Sequence, residues 1–279
     1  MLNVMAIRLI VNADDFGYSA SVNAAVARAR AFGALTSASL MVTGEAAREA
    51  ASIAGDNPDL AVGLHLALSR VKSALPRSAI PGLVDINGRF PDSPISAGLR
   101  YCFSPSARRQ LADEIEAQFE AFARLGIGFS HIDGHQHMHA HPVVLPIVIR
   151  LAEQYGTRGI RVPNEPFAAK GFRGRSPVSA LAQAYLARTC RRLLRGTEFV
   201  TCDHCIGGPI GARRLIHALD RLRAGTVEVY FHPSVEPSYE PLGPNPADLA
   251  ALLDPALRDY IAAHCRLATY ESICREAVR

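Results

Sequence analysis

The sequence predicts an α/β fold: a (β/α) barrel of TIM-like form, distorted or incomplete, with one domain over residues 1–279. Three observations predict it. Short β-branched runs alternate with longer segments of helical period, which means parallel strands joined by crossover helices. About eight such units fit this length. Several strands also end their apolar run in a residue able to ligate a metal or move a proton, and a barrel gathers such ends at one rim. A doubly wound open sheet is the alternative architecture.

Taken in order, "RLIVNAD" is the first strand, and a helix follows over Ala20–Ala31 with Ser19 or Ser21 as its N-cap. "SASLMVT" and "VGLHLAL" are the second and third strands. The rhythm then breaks from Ser69 to Ser106, where "LPRSAIPGLVDINGRFPDSP" is rich in Pro, Gly and Asp. An excursion of that length is either a lid or binding loop, or an insertion that packs over the barrel. Ala107–Leu125 resumes the pattern as a helix, with Leu111, Ile115, Phe119 and Phe122 recurring at three- and four-residue steps on a core-facing stripe. The fourth strand "FSHIDGH" leads to a helix over Pro142–Tyr155, and "GIRVPNE", "EFVTCDHC", "TVEVYFHP" and "CRLATY" complete the set.

Composition narrows the function. Nearly half the residues are apolar and the formal charge is only +4, with no basic block interleaved with aromatics, so nucleic acid is not an expected partner. No run approaches the roughly 20 apolar residues of a membrane helix. "MLNVMAIRLIVNADD" lacks the features of a signal peptide, so a cytoplasmic placement is expected. The six scattered cysteines read as free thiols. "CDHC" supplies one Cys pair where a structural zinc site needs four ligands, which weighs against a zinc-stabilised interaction protein.

The polar strand ends carry the chemistry. The first strand ends at Asp14 and Asp15, the third at His65, the fourth at His131, Asp133 and His135, the fifth at Arg161, the sixth at Asp203 and His204, and the seventh at His232. Two adjacent carboxylates at a strand end repel each other and are best explained by a cation. Two histidines and a carboxylate are a common set for a divalent ion with open positions. In "HIDGHQHMHAH" the histidines alternate, which on an extended chain puts them on one face. They cannot all reach one ion, and Asp133 can orient a ligand histidine from behind. One aspartate then binds the ion, its neighbour serves as base, and a later strand-end histidine protonates the leaving group: metal-assisted hydrolysis.

"LIVNADDFG", "GALTSASLMVTG", "LAVGLHLAL", "SHIDGHQHMH" and "VEVYFHP" resemble, in order, the sequence blocks of the YdjC-like carbohydrate deacetylases. The resemblance implies a (β/α)-barrel-like fold and one divalent ion, zinc or magnesium. It implies Asp15, His65 and His135 as ligands, Asp14 as base, His232 as acid, and Arg161 positioning substrate or a carboxylate. "LVDINGRFPDSP", "RRQLADEIEAQFEAFARLG" and "RVPNEP" resemble the subgroup associated with hopanoid biosynthesis, although Asp133–Gly134 stands where an Asn-Ala pair is expected there. That subgroup removes the acetyl group from an N-acetylglucosaminyl hopanoid, whereas other members act on chitooligosaccharides.

The expected substrate is therefore an acetylated amino sugar, soluble or lipid-linked. Residues 177–195, "PVSALAQAYLARTCRRLLR", with Lys170, Arg173 and Arg175 just before, form either a basic amphipathic helix for an anionic membrane surface or a barrel helix with a solvated basic face. A homodimer is a compatible assembly.

Overall fold

The computed structural model describes residues 7–165, 177–208, 210–222, 224–238 and 243–277. Lys170, Arg173 and Arg175 lie outside these residues. In chain order the elements begin β1 (Ile7–Phe16), α1 (Ala20–Phe32), β2 (Ser37–Leu40), α2 (Ala47–Asp56) and β3 (Ala61–Leu66). There follow α3 (Pro94–Phe103), α4 (Pro105–Ala123), β4 (His131–Gly134), a 3-10 segment His135–Ala140, α5 (Leu145–Gln154) and β5 (Gly159–Ile160). The series ends with α6 (Pro177–Leu193), β6 (His204–Gly207), α7 (Gly211–Asp220), β7 (Thr226–Phe231), α8 (Pro246–Leu252), α9 (Pro255–His264), β8 (Cys265–Leu267) and α10 (Tyr270–Ala277).

Seven parallel strands form one curled sheet in the order β5-β4-β3-β2-β1-β7-β6. Its two ends meet through irregular backbone: Ile160 N–H donates to Val200 O (3.1 Å), Val200 N–H to Arg158 O (2.7 Å), and Cys205 N–H to Asn164 O (2.9 Å). The architecture is consistent with a distorted TIM-like barrel, and the open doubly wound sheet is excluded by the meeting of β1, β4, β5 and β7 side chains at Arg161, described below. The eighth expected strand is a three-residue β8 that pairs with Ile7–Leu9 of β1 instead of extending the order. Strand β5 is only two residues long: Pro163 has no N–H to continue a ladder, and Asn164 N–H turns back to Val162 O.

Alternation along β1 sorts its neighbours. Leu9, Val11 and Ala13 face the helices and belong to the main apolar core. Ile10, Asn12 and Asp14 face inward, where Ile10 packs with Cys202 and Tyr270 at the barrel base. Above that base the interior is polar. Ser37 Oγ donates to Asn12 Oδ1 (2.6 Å), and Asn12 Nδ2 donates to Ser39 Oγ (2.8 Å). Gly63 makes room for it: a Cβ there would lie 2.5 Å from the His131 ring.

The long excursion contains its own helix, α3. Ser93 caps α3, Ser104 caps α4, and Pro94 and Pro105 fill their first turns, so α4 starts earlier than the apolar stripe alone predicts. The excursion is anchored to the outer wall. Buried Glu114 of α4 accepts from Ala74 N–H (2.8 Å) and Leu75 N–H (2.9 Å).

Candidate metal centre

Adjacent residues on a regular strand point to opposite faces, so Asp14 and Asp15 need a break in the pleat to share a site. The register of β1 against β2 shifts between Ala13 and Phe16, and Asp15 adopts φ of 61°, the left-handed region. This bulge turns both carboxylates into the barrel mouth. Strand β3 brings His65 beside them. Strand β4 ends at Gly134, and the chain bends into the 3-10 segment that presents His135.

Asp15, His65 and His135 each offer a ligand atom, all within 4.8 Å of one another, and all three residues are buried. Asp15 Oδ1 lies 3.3 Å from His65 Nε2 and 3.0 Å from His135 Nδ1. His65 Nδ1 faces Asp133 Oδ1 at 2.9 Å, which fixes the proton on Nδ1 and leaves Nε2 to aim at Asp15. Asp15 Oδ2 has no hydrogen-bond partner, and His65 Nε2 meets only Asp15 Oδ1 at 3.3 Å, as expected of atoms meant for an ion. Burial pushes the His65 pKa down, but Asp133, Asp15 and Asp14 outweigh it and raise it to about 10. Burial likewise raises Asp15, and His135 and His65 overcome that to hold it well below the usual carboxylate range. In the bare protein a proton on His65 thus supplies positive charge where a cation fits.

Behind the triad, Arg161 organises the carboxylates. It is fully buried and donates to Asp14 Oδ2 (2.7 Å) and Oδ1 (2.8 Å), and to Glu228 Oε1 (2.7 Å). Its Nη1 also lies 2.7 Å from Asp133 Oδ2. Of the two roles expected for Arg161, the carboxylate one matches these contacts. Three buried carboxylates (Asp14, Asp133 and Glu228) share this one guanidinium, and the fourth, Asp15, faces His65 and His135 beside them, a crowding of acidic groups that favours a divalent cation. Burial raises the Glu228 pKa, partly offset by Arg161.

His232 follows β7 at the mouth, 18% exposed, with Nε2 3.9 Å from Asp14 Oδ2 and Nδ1 3.9 Å from Asp248 Oδ2. Asp248 also accepts from His232 N–H at 2.8 Å, tying the loop to α8. Tyr230 fills the space between: its ring lies under the Arg161 guanidinium (4.6 Å), edge-on to His232 (5.6 Å), and its hydroxyl meets His137 Nε2 at 3.1 Å. A Cβ on Gly207 would sit 2.0 Å from that ring, so the small residue on β6 is required.

The other strand-end histidines separate. His131 lies deeper in the barrel than the mouth, stacked on Tyr270 (4.9 Å) and 3.0 Å from Ser39 Oγ. Alternation stops after His135 because Gln136 and His137 take left-handed φ values of 53° and 58°. His139 turns inward to donate to Arg161 O (2.9 Å). Asp203 and His204 are not at the rim. They begin β6, where Asp203 Oδ2 accepts from Thr226 N–H (2.8 Å) at the start of β7. All six cysteines are free, and among the described residues none joins a candidate metal cluster. Asp248, Tyr230, Glu228 and Asn12 escaped the sequence reading. Glu228 and Asn12 had a signal, as polar residues inside otherwise apolar strand runs.

Comparison with known proteins identifies the family of the chain. The family model described as YdjC-like protein matches residues 8–263. A carbohydrate deacetylase from Geobacillus stearothermophilus is 36% identical over 227 residues, covering 81% of this chain and 78% of that one. One from Mus musculus is 33% identical over 256 residues, covering 85% and 81%. One from Brevibacillus brevis is 42% identical over 149 residues, a match spanning 53% of this chain and only 56% of the relative. A crystallised Enterococcus faecalis protein named for cellobiose-phosphate cleavage superposes with a TM-score of 0.75 at 24% identity, covering 96% of this chain and 99% of that one, a likeness of fold.

Proposed function

The chain belongs to the YdjC-like family, and on that premise we propose that it is a metal-dependent deacetylase that hydrolyses the N-acetyl group of an amino sugar. The observation that carries the reading is one buried mouth holding two different constellations: a carboxylate with two histidines, and a second aspartate gripped by Arg161. Asp15, His65 and His135 would hold the ion, zinc or magnesium. When bound, it would lower the pKa of water and polarise the amide carbonyl.

The chain's own groups do the rest. Asp14 accepts the proton of the attacking water, and Arg161 fixes the direction of its carboxylate. His232, beside Asp14 and backed by Asp248, hands a proton to the departing amine nitrogen. The products are acetate and the free amino sugar. Arg161 acts through Asp14 rather than on substrate, since all its reach is spent on carboxylates.

The favoured substrate is an N-acetylglucosaminyl hopanoid, supported by the sequence blocks in the insertion, α4 and the segment after β5. On this reading the protein works in the cytoplasm, with peripheral contact at an anionic membrane face. The test is acetate release, with metal added, from N-acetylglucosaminyl bacteriohopanetetrol and diacetylchitobiose side by side. Release from the lipid alone is expected. Release mainly from the sugar returns the protein to soluble chitooligosaccharides, and release from neither overturns the substrate class.

A further inference from the structure

Helix α3 packs its inner side against the chain that follows β3 and the end of the 3-10 segment. Ala97, Gly98 and Tyr101 are buried, and Tyr101 Oη donates to Leu68 O (2.8 Å), three residues past His65. His141, just beyond the 3-10 segment that carries His135, sits against Gly98 and edge-on to Tyr101. The outer side is unusual for a helix with one face already in the core. Ile95, Leu99 and Phe103 recur at four-residue steps and are 71%, 55% and 80% exposed. A lone exposed leucine is ordinary, but an aligned apolar stripe marks an interaction surface.

The segment that carries this stripe is basic. Residues 69–109 contain seven basic and two acidic side chains. Helix α6 flanks the same 3-10 segment, with Cys190 Sγ 3.7 Å from Ala140 O, and it too exposes large side chains, Leu181 and Tyr185. Residues 177–197 carry four arginines and no acidic residue. The whole chain is only +4, so the residues outside these two segments carry a net acidic charge.

We infer that α3 is a membrane-docking helix, whose Ile95–Leu99–Phe103 stripe enters the headgroup boundary of an anionic bilayer while the surrounding basic residues meet the lipid phosphates. An apolar stripe bordered by Lys and Arg is what such a surface binds. A second copy of the chain is the poorer occupant: a two-fold contact would set this arginine-rich face against itself, and like charges oppose association. The inference deepens the lipid-linked reading above and rests on it for what docking serves. Its evidence, the exposure of α3, is separate.

The test floats the full chain with vesicles of phosphatidylcholine alone, or of phosphatidylcholine with phosphatidylglycerol. Flotation is expected only with the acidic vesicles, falling as salt is raised. Leu99→Glu and Phe103→Glu, made separately, each lower the bound fraction at least tenfold with an unchanged circular dichroism spectrum. Ile95→Ser, a milder change, lowers it by a smaller factor. No flotation, or flotation indifferent to lipid charge, overturns the proposal. So does a wild-type dimer that Leu99→Glu dissociates, which would give the face to a second copy. Acetate release from N-acetylglucosaminyl bacteriohopanetetrol and from diacetylchitobiose, run in parallel, separates the two readings. Release without flotation removes the docking helix and leaves the reaction, and flotation without release from either acetylated substrate does the reverse.

Discussion

Asp14 and Asp15 are neighbours in sequence with divided surroundings. Asp15 looks at two histidines, and Asp14 looks at a guanidinium and, at 3.9 Å, at His232. Asp14→Asn is therefore expected to keep full metal content by elemental analysis while kcat drops about 10²- to 10⁴-fold, the usual worth of a positioned base. His65→Ala and His135→Ala should instead lose the metal. Asp248→Asn keeps the metal too, but it weakens the hold on His232, so kcat should fall roughly tenfold with KM little changed. An Asp248→Asn enzyme with wild-type kcat would leave His232 positioned by its backbone alone. These residues were unequally legible. Asp14, Asp15, His65 and His232 each interrupt an apolar run, which exposes them to sequence reading. Asp248 interrupts nothing: it lies in the first turn of α8 and meets His232 only because the chain folds back.

At the scale of elements, strand alternation and the α4 stripe were readable because each depends on local periodicity. Strand lengths were not, because pairing partners set them. "GIRVPNE" reads as a full strand, yet Pro163 ends the ladder. The histidine run reads as extended, yet two left-handed residues curl it so that His135 and His139 serve different neighbours. The insertion shows how a loop that looks free is held. Glu114, buried and apolar in setting, has its pKa raised by burial, while the N–H groups of Ala74 and Leu75 and the amide of Gln118 pull it back. Glu114→Ala should cost roughly 1–3 kcal/mol in denaturant unfolding, since two backbone donors lose their acceptor. It should also speed proteolysis within residues 69–106. Glu114→Gln, which retains one acceptor, should fall between. Equal cleavage rates for all three would mean that α3 alone holds the insertion down.

For the molecule as a whole, the consequence of a polar barrel interior is a dependence of stability on pH. His131 and His139 are buried in it, and burial, against the pull of Asp133, lowers both to about 4. The unfolded chain takes up these protons near pH 6.5, so between about 6.5 and 4 it binds protons that the folded barrel refuses, and stability falls as pH falls. Each histidine can contribute on the order of 3 kcal/mol across that window. His65 adds no slope there. Its folded value near 10 leaves it protonated in both states below pH 6, and its contribution is lost only as pH rises toward 10. Asp15 and Asp133, both lowered, lose theirs below the ordinary carboxylate range. Glu228 and Glu114, raised by burial, work in the opposite direction, so the total curve mixes signs. A difference curve isolates one group. His131→Asn, unfolded in denaturant with metal chelated, should be less stable than wild type at pH 8, because it loses the stack on Tyr270. That deficit should narrow by up to about 3 kcal/mol by pH 4, because only the wild type must bury a histidine that solvent would protonate. A deficit that stayed constant would mean that the folded barrel accepts a proton on His131, which burial and the Arg161 charge oppose.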